Sequence, residues 1–216
     1  MKDRYRTVFE GGEGRYEEKK SVFLSYMRPV SSEEEAAAFV ESLRKKHRDA
    51  RHVCSAWVIG ADNPQMRASD DGEPQGTAGR PMLDILTGAG LADTAVAVVR
   101  YFGGVLLGTG GLARAYTASA QDALRNSVIT EKILGAHLRI GTDYNGLGRL
   151  QYMLASRKIP VLSSEYGEDV RLEVILPAAE KDWLQKEIAG LSAGKAAVED
   201  LGNTWYMMVD GECLLA

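Results

Sequence analysis

Cysteine is scarce in this chain: Cys54 and Cys213 are the only two in 216 residues. They lie far apart and form no CxxC motif, so a disulfide scaffold is not expected and a reduced, cytoplasmic setting is. Histidine is nearly as scarce, at three residues. A structural zinc site takes four ligands of these types. His52 and Cys54 share a strand face by the two-residue period and therefore read as packed groups, with no metal and no cofactor expected. No apolar run approaches the ~18 residues of a membrane-crossing helix. No apolar segment follows Met1-Lys-Asp-Arg-Tyr-Arg6, so no secretory signal is expected. Excess basic charge is missing too: the net charge is −4 and the pI about 5.5. Residues 1–134 carry 18 basic and 18 acidic side chains, and residues 135–216 carry 8 and 12. This argues against a purely electrostatic nucleic-acid binder, and any RNA contact would need a local patch.

What the chain does have is glycine, concentrated in two stretches. The first runs Ser69-Asp-Asp-Gly-Glu-Pro-Gln-Gly-Thr-Ala-Gly-Arg-Pro-Met82. The second runs Arg100-Tyr-Phe-Gly-Gly-Val-Leu-Leu-Gly-Thr-Gly-Gly-Leu-Ala-Arg-Ala-Tyr116. Ten of the 23 glycines lie between residues 72 and 111. Glycine weakens regular structure, so such density calls for positive φ, close backbone approach or exposed N–H groups. Both stretches abut apolar runs and belong to an ordered domain, unlike a flexible linker.

The length and the 45% hydrophobic content suit one large or two small domains with real cores. Residues 20–30 read as a strand. Ser32 and Glu35 form a capping box, and Ala36, Phe39, Val40 and Leu43 continue it as a helix to about 48. Arg44, Lys45, Lys46 and Arg48 sit at its negative end, where they either complement the helix dipole or form a nucleic-acid contact. Val53–Ile59 and Thr94–Val99 are buried strands, the second central. Pro81 to Leu91 is a helix with proline near its first turn. Another helix opens at Thr109 or Gly110 and runs to about Asn126. From residue 133 the pattern becomes strand 134–143, helix 145–157, strands 160–166 and 170–176, helix 178–190 and strand 196–209. That is a β-α-β-β-α-β unit of the ferredoxin-like kind, and the boundary falls near 132–136.

The chemistry centres on the helix that opens near Gly110. Its first N–H groups lack internal partners and form the positive end of the macrodipole. No acid occurs from Thr94 through Gln121. Gly108, Gly110 and Gly111 carry no side chain to screen that end, and Arg100 and Arg114 add charge. This is a candidate anion site. The anion comes either from a ligand, RNA or partner, or from Asp70, Asp71 and Glu73 of the first stretch docking internally. No lysine follows the glycines, so the segment is not a P-loop. Gly108-x-Gly110-x-x-Ala113 matches a dinucleotide fingerprint only loosely, and no Gly-x-Ser-x-Gly elbow exists. Of the aromatics beside the second stretch, Phe102 reads as core, while the Tyr101 hydroxyl could meet an arginine or a carboxylate.

The two stretches, with Lys19-Lys-Ser-x-Phe23 and His52-x-Cys-x-Ala56, resemble the IMPACT/YigZ family. Arg51 stands where that family often has threonine. The resemblance implies an α+β fold: an N-terminal domain, 1–133, like ribosomal protein S5 domain 2, and a C-terminal ferredoxin-like domain, 134–216, like those of elongation factor G. It also implies a regulator of translation under stress. The expectation is a non-enzymatic cytoplasmic protein with no membrane contact, which binds RNA, a ribosome or a translation-related protein. The candidate binding residues are His52, Asp70, Asp71, Glu73, Gly76, Thr77, Arg100, Tyr101, Gly103, Gly104, Gly108, Gly110, Gly111 and Arg114. The alternatives are a protein-interaction module and a small-molecule hydrolase using the Asp70, Asp71 and Glu73 carboxylates with His52.

Overall fold

The computed structural model describes residues 2–216, and the chain divides between Thr130 and Glu131 into two units. The first contains β1 (Arg4–Glu10), β2 (Glu13–Glu18), β3 (Ser21–Pro29), α1 (Glu33–Lys46), β4 (His52–Ile59), β5 (Gln65–Ser69), α2 (Gly79–Gly88), β6 (Thr94–Tyr101) and α3 (Gly108–Arg125). Five of its strands form an antiparallel sheet in the order β2-β3-β6-β4-β5. β6 is central, and its side chains alternate between two covered faces. Val96 and Val98 join the core beneath α2 and α3, whereas Ala95, Ala97 and Val99 join the core beneath α1. Coverage on both faces is why this strand reads as a nearly continuous apolar run.

The Ser32 hydroxyl caps α1 by accepting from the Glu35 amide at 3.2 Å, and the Glu35 carboxylate accepts from the Ser31 amide. The helix then buries Ala36, Phe39 and Leu43. Each of the two larger side chains contributes about 1.5–3 kcal/mol on burial. The second helix starts at Gly79, two residues before Pro81, and its final turn passes into Gly90 at φ +67°. Gly103 has another reason for its identity: a Cβ there would stand 2.1 Å from the Lys20 carbonyl carbon. The start of the second glycine stretch is thereby pressed onto the β2–β3 hairpin.

β7 (Val128–Thr142) begins six residues before the expected strand, because Val128, Ile129 and Thr130 already extend the backbone in β form. It leads into the second unit, which holds α4 (Tyr144–Ser156), β8 (Val161–Tyr166), β9 (Val170–Pro177), a 3-10 turn (Ala178–Glu180), α5 (Lys181–Leu191), β10 (Ala197–Val209) and β11 (Glu212–Leu215). The sheet order is β11-β10-β7-β9-β8, with antiparallel neighbours throughout. Ala136, Leu138 and Ile140 alternate into a core shared with Leu154, Leu172, Leu184 and Ile188. Among the described residues, no helix is long and apolar enough to cross a membrane.

Candidate functional site

The three acids of the first glycine stretch go to three different places. Asp70 crowns α2. Its carboxylate accepts from the amides of Gly76 at 2.7 Å, Ala78 at 3.0 Å and Gly79 at 2.9 Å. Two of these belong to the first turn of a helix whose own N-cap residue, Ala78, has no capping side chain, so a distant residue satisfies donors that the local sequence leaves open. Partial burial works to raise the Asp70 pKa, but the three amides outweigh it and hold the carboxyl below its usual range. Asp71 ties α1 to β4: one oxygen accepts from Arg44 Nη2 at 2.6 Å, the other from the Val53 amide at 2.7 Å. Its own carbonyl, at 2.7 Å, partners His52 Nδ1. Asp71 sits at φ +43° and Gly72 at φ +84°, a sharp reversal that sends the chain back under β4.

Glu73 goes inward. Its side chain is 3% exposed, and its Oε1 accepts from Arg100 Nη1 at 2.6 Å and from the Tyr116 hydroxyl at 2.8 Å. Arg100, 7% exposed, lies over the rings of Phe23 and Phe102 at 5.5 and 5.6 Å. Its Nε is buried and has no hydrogen-bond partner among the described residues. The Cys54 thiol completes the cluster, donating toward the Asp70 carbonyl at 3.0 Å and the Tyr116 hydroxyl at 3.3 Å. Burial pushes the Cys54 and Tyr116 pKa values strongly upward. Both groups keep their protons, and the enclosed Cys54 thiol is not held as a thiolate.

The internal docking is therefore real for Glu73 on Arg100, but none of the three acids hydrogen-bonds to the start of α3. That helix opens at Gly108 with Leu107 as N-cap, no capping side chain and no acid in the first turn. Residues 108–110 are exposed. A cleft of about 370 Å³ lies there, lined by Arg51, His52, Glu73, Pro74, Arg100, Phe102 and Leu106, with Leu107, Gly108, Thr109 and Leu112 at its helical end. Gly104 and Gly108 hold φ of +87° and +72°, and a Cβ on either would point into open space. On the far side of Gly110, Arg114 Nη1 lies 3.6 Å from where a Cβ would stand. In contrast, Gly111 packs against the Leu107 side chain.

Of the residues singled out in the sequence, His52, Glu73, Arg100 and Gly108 line the cleft together. Gly103, Gly104, Gly110, Gly111 and Arg114 flank the lining residues in sequence without lining the cleft themselves. Gly76 and Thr77 serve the α2 cap instead, Thr77 being 4% exposed and bonded to the Pro74 carbonyl. Tyr101 does not line the cleft. It sits one residue beyond Arg100 and so points to the opposite face, where its hydroxyl meets His47 Nδ1 at 2.9 Å. Phe102 is half exposed on the cleft wall, not in the core. The sequence reading does not single out Arg51, Pro74, Leu106, Leu107 or Thr109 as binding groups, and of its two readings of Arg44, a helix-end charge or a nucleic-acid contact, neither includes the Asp71 partner. The isolated apolar run Val105-Leu106-Leu107 inside a glycine stretch is the available signal.

With Asp70 and Asp71 spent on amides and on Arg44, and Glu73 on Arg100 and Tyr116, no free carboxylate pair faces the cleft for acid–base work. What the arrangement offers is hydrogen-bond donors and positive potential beside an apolar wall, which suits an anion with hydrophobic substance attached.

The Impact N-terminal domain model matches residues 19–124, which contain the whole site. A second model, a domain of unknown function called DUF1949, matches residues 140–195. IMPACT family member YvyE of Bacillus subtilis is 37% identical over 203 residues, covering 94% of this chain and 93% of its own. IMPACT family member YigZ of Escherichia coli is 42% identical over 178 residues, or 82% and 87% of the two chains. A crystal structure described only as that of a hypothetical protein superposes with a TM-score of 0.62 at 37% identity, over 94% of this chain and 99% of that one. By sequence over nearly its full length, this chain belongs to the IMPACT family.

Proposed function

We infer that this chain is a non-enzymatic, cytoplasmic binding protein of the translation apparatus or its stress regulation, which engages RNA, a ribosome or a protein partner at the start of α3. One observation carries the reading. An 18-residue helix presents an uncapped, acid-free N-terminus to solvent, at the edge of a cleft that also holds Arg51 and Arg100. Side chains cap three of the other helices: Ser32 serves α1, Asp70 serves α2 and Asp143 serves α4; α5 has no capping side chain either, but Asp182 in its first turn supplies the acid that α3 lacks. Family membership supplies the link to translation. The strand order β10-β7-β9-β8 within a β-α-β-β-α-β succession supports a ferredoxin-like assignment for 134–216. The three-layer arrangement of α1, sheet, and α2 with α3 supports the S5 domain 2-like assignment for 1–133.

Co-sedimentation with ribosomes across a salt series tests this reading. The expected result is association that weakens with salt and is lost in Arg114→Glu. Absence of any association, or association indifferent to that substitution, overturns the ribosomal and RNA forms of the proposal. A protein partner retained after nuclease treatment keeps the protein form.

A further inference from the structure

We propose that the cleft at the start of α3 binds the free C-terminal carboxylate of a partner polypeptide whose last residue is apolar. The inference rests on reading this cleft as the chain's binding site, and it names the ligand.

Three features define what fits. First, the donors converge on a single small anion. Leu107 is in the right-handed region and Gly108 at φ +72°, a pairing that turns successive amides toward one point. The amides of Gly108, Thr109 and Gly110 have no acceptor within the helix. Second, Arg100 lines the same cleft with its charge only partly used: Glu73 takes Nη1, while the buried Nε has no partner among the described residues. A side chain this deeply buried rarely leaves a polar atom unsatisfied unless something else completes the site. Third, the surroundings are apolar. Leu106 is 82% exposed, and Phe102 and Val105 about half exposed, beside Pro74, Leu107 and Leu112 on the cleft wall.

A nucleic acid asks for something else. It would need a track of lysines and arginines following several phosphates, whereas residues 1–134 are electrically balanced and Arg51 and Arg100 are the two lysine or arginine side chains that line the cleft. A volume of about 370 Å³ holds one or two amino-acid residues. A chain terminus delivers a carboxylate and an apolar side chain from the same residue, matching the short distance between the amide cluster and the leucine wall. Capture of a terminal carboxylate by backbone amides is a recurring mode of peptide recognition.

The test uses the full chain labelled with ¹⁵N and acetylated tetrapeptides ending in leucine, isoleucine, valine, phenylalanine or methionine, each as free acid and as amide. Free acids are expected to shift the amide signals of residues 108–111 saturably, and amides to bind at least tenfold more weakly. Thr109→Glu, an exposed position, places a carboxylate of the chain's own at the site. It is expected to weaken the free acids at least tenfold while leaving the rest of the spectrum unchanged. Equal binding of acid and amide, no binding by any free acid, or native affinity in Thr109→Glu overturns the proposal. Should a 5′-phosphorylated RNA tetranucleotide shift the same signals and the peptides not, the peptide ligand is refuted and the cleft stands as a binding site. If neither probe binds and ribosome association also fails, the underlying reading falls with it.

Discussion

Glu73→Gln isolates the buried network beneath the cleft. The replacement keeps size and hydrogen-bonding capacity but removes the charge that balances Arg100. Both side chains are at most 7% exposed, and the contact is 2.6 Å long, so solvent screens little of the loss. Removing one member of such a pair costs about 3–5 kcal/mol, because the remaining charge stays buried without compensation. With a urea dependence of about 2 kcal/mol per molar, the midpoint should fall by roughly 2 M. The assay can be confined to the first unit: Trp57 is its one tryptophan, the other two being Trp183 and Trp205. A background carrying Trp183→Phe and Trp205→Phe therefore reports on Trp57, which is 7% exposed. Adding Arg100→Gln to Glu73→Gln should restore at least half of the loss, since two neutral amides no longer leave a charge stranded. A single-variant cost below about 1 kcal/mol, or no recovery in the double variant, would falsify the claim that charge balance matters here.

Asp70→Ala strips three amides of their acceptor and should cost about 2 kcal/mol in the same unfolding assay. Because the three amides hold the folded Asp70 carboxyl below the usual carboxylate range, its contribution is present above that range and disappears as pH falls through the lowered folded value; Asp70→Ala should flatten the acid limb of the stability profile. Lys20→Gly should stabilise by about 1 kcal/mol, because Lys20 holds φ +66° in the β2–β3 turn; an unchanged midpoint would count against strain there. Thr109→Glu should raise stability by about 0.3–1 kcal/mol by complementing the α3 dipole, and a lowered melting temperature would contradict an unneutralised helix end.

Legibility in the sequence followed burial. β3, β4 and β6 are enclosed, so their apolar runs announce them, and Ser32 and Glu35 mark α1. β2 is an edge strand reading Glu13-Gly-Arg-Tyr-Glu-Glu18, with too much charge to show a pattern. Its turn also lacks the usual Asn-Gly: Lys19 and Lys20 both take positive φ, a type I′ arrangement forced by the strands they join. β5 is almost wholly exposed and β11 is four residues long, and neither offers alternation to detect. At the candidate site, glycine density and the missing acids point to the start of α3, which the structure leaves exposed and without a capping side chain. The destinations of the acids were not visible, because their partners lie far along the chain: Glu73 reaches 27 and 43 residues to Arg100 and Tyr116, and Asp71 reaches 27 back to Arg44. The two-residue strand period sets Tyr101 on the face opposite Arg100, which is why its hydroxyl meets His47 and it does not line the cleft.

Cys54, wholly enclosed between the Asp70 carbonyl and Tyr116, gives the molecule a built-in clock. A maleimide will find Cys213, which is partly accessible, long before it finds Cys54. The slow second labelling event then times how often the N-terminal core breathes open, and any occupant that braces the α3 terminus should lengthen the interval.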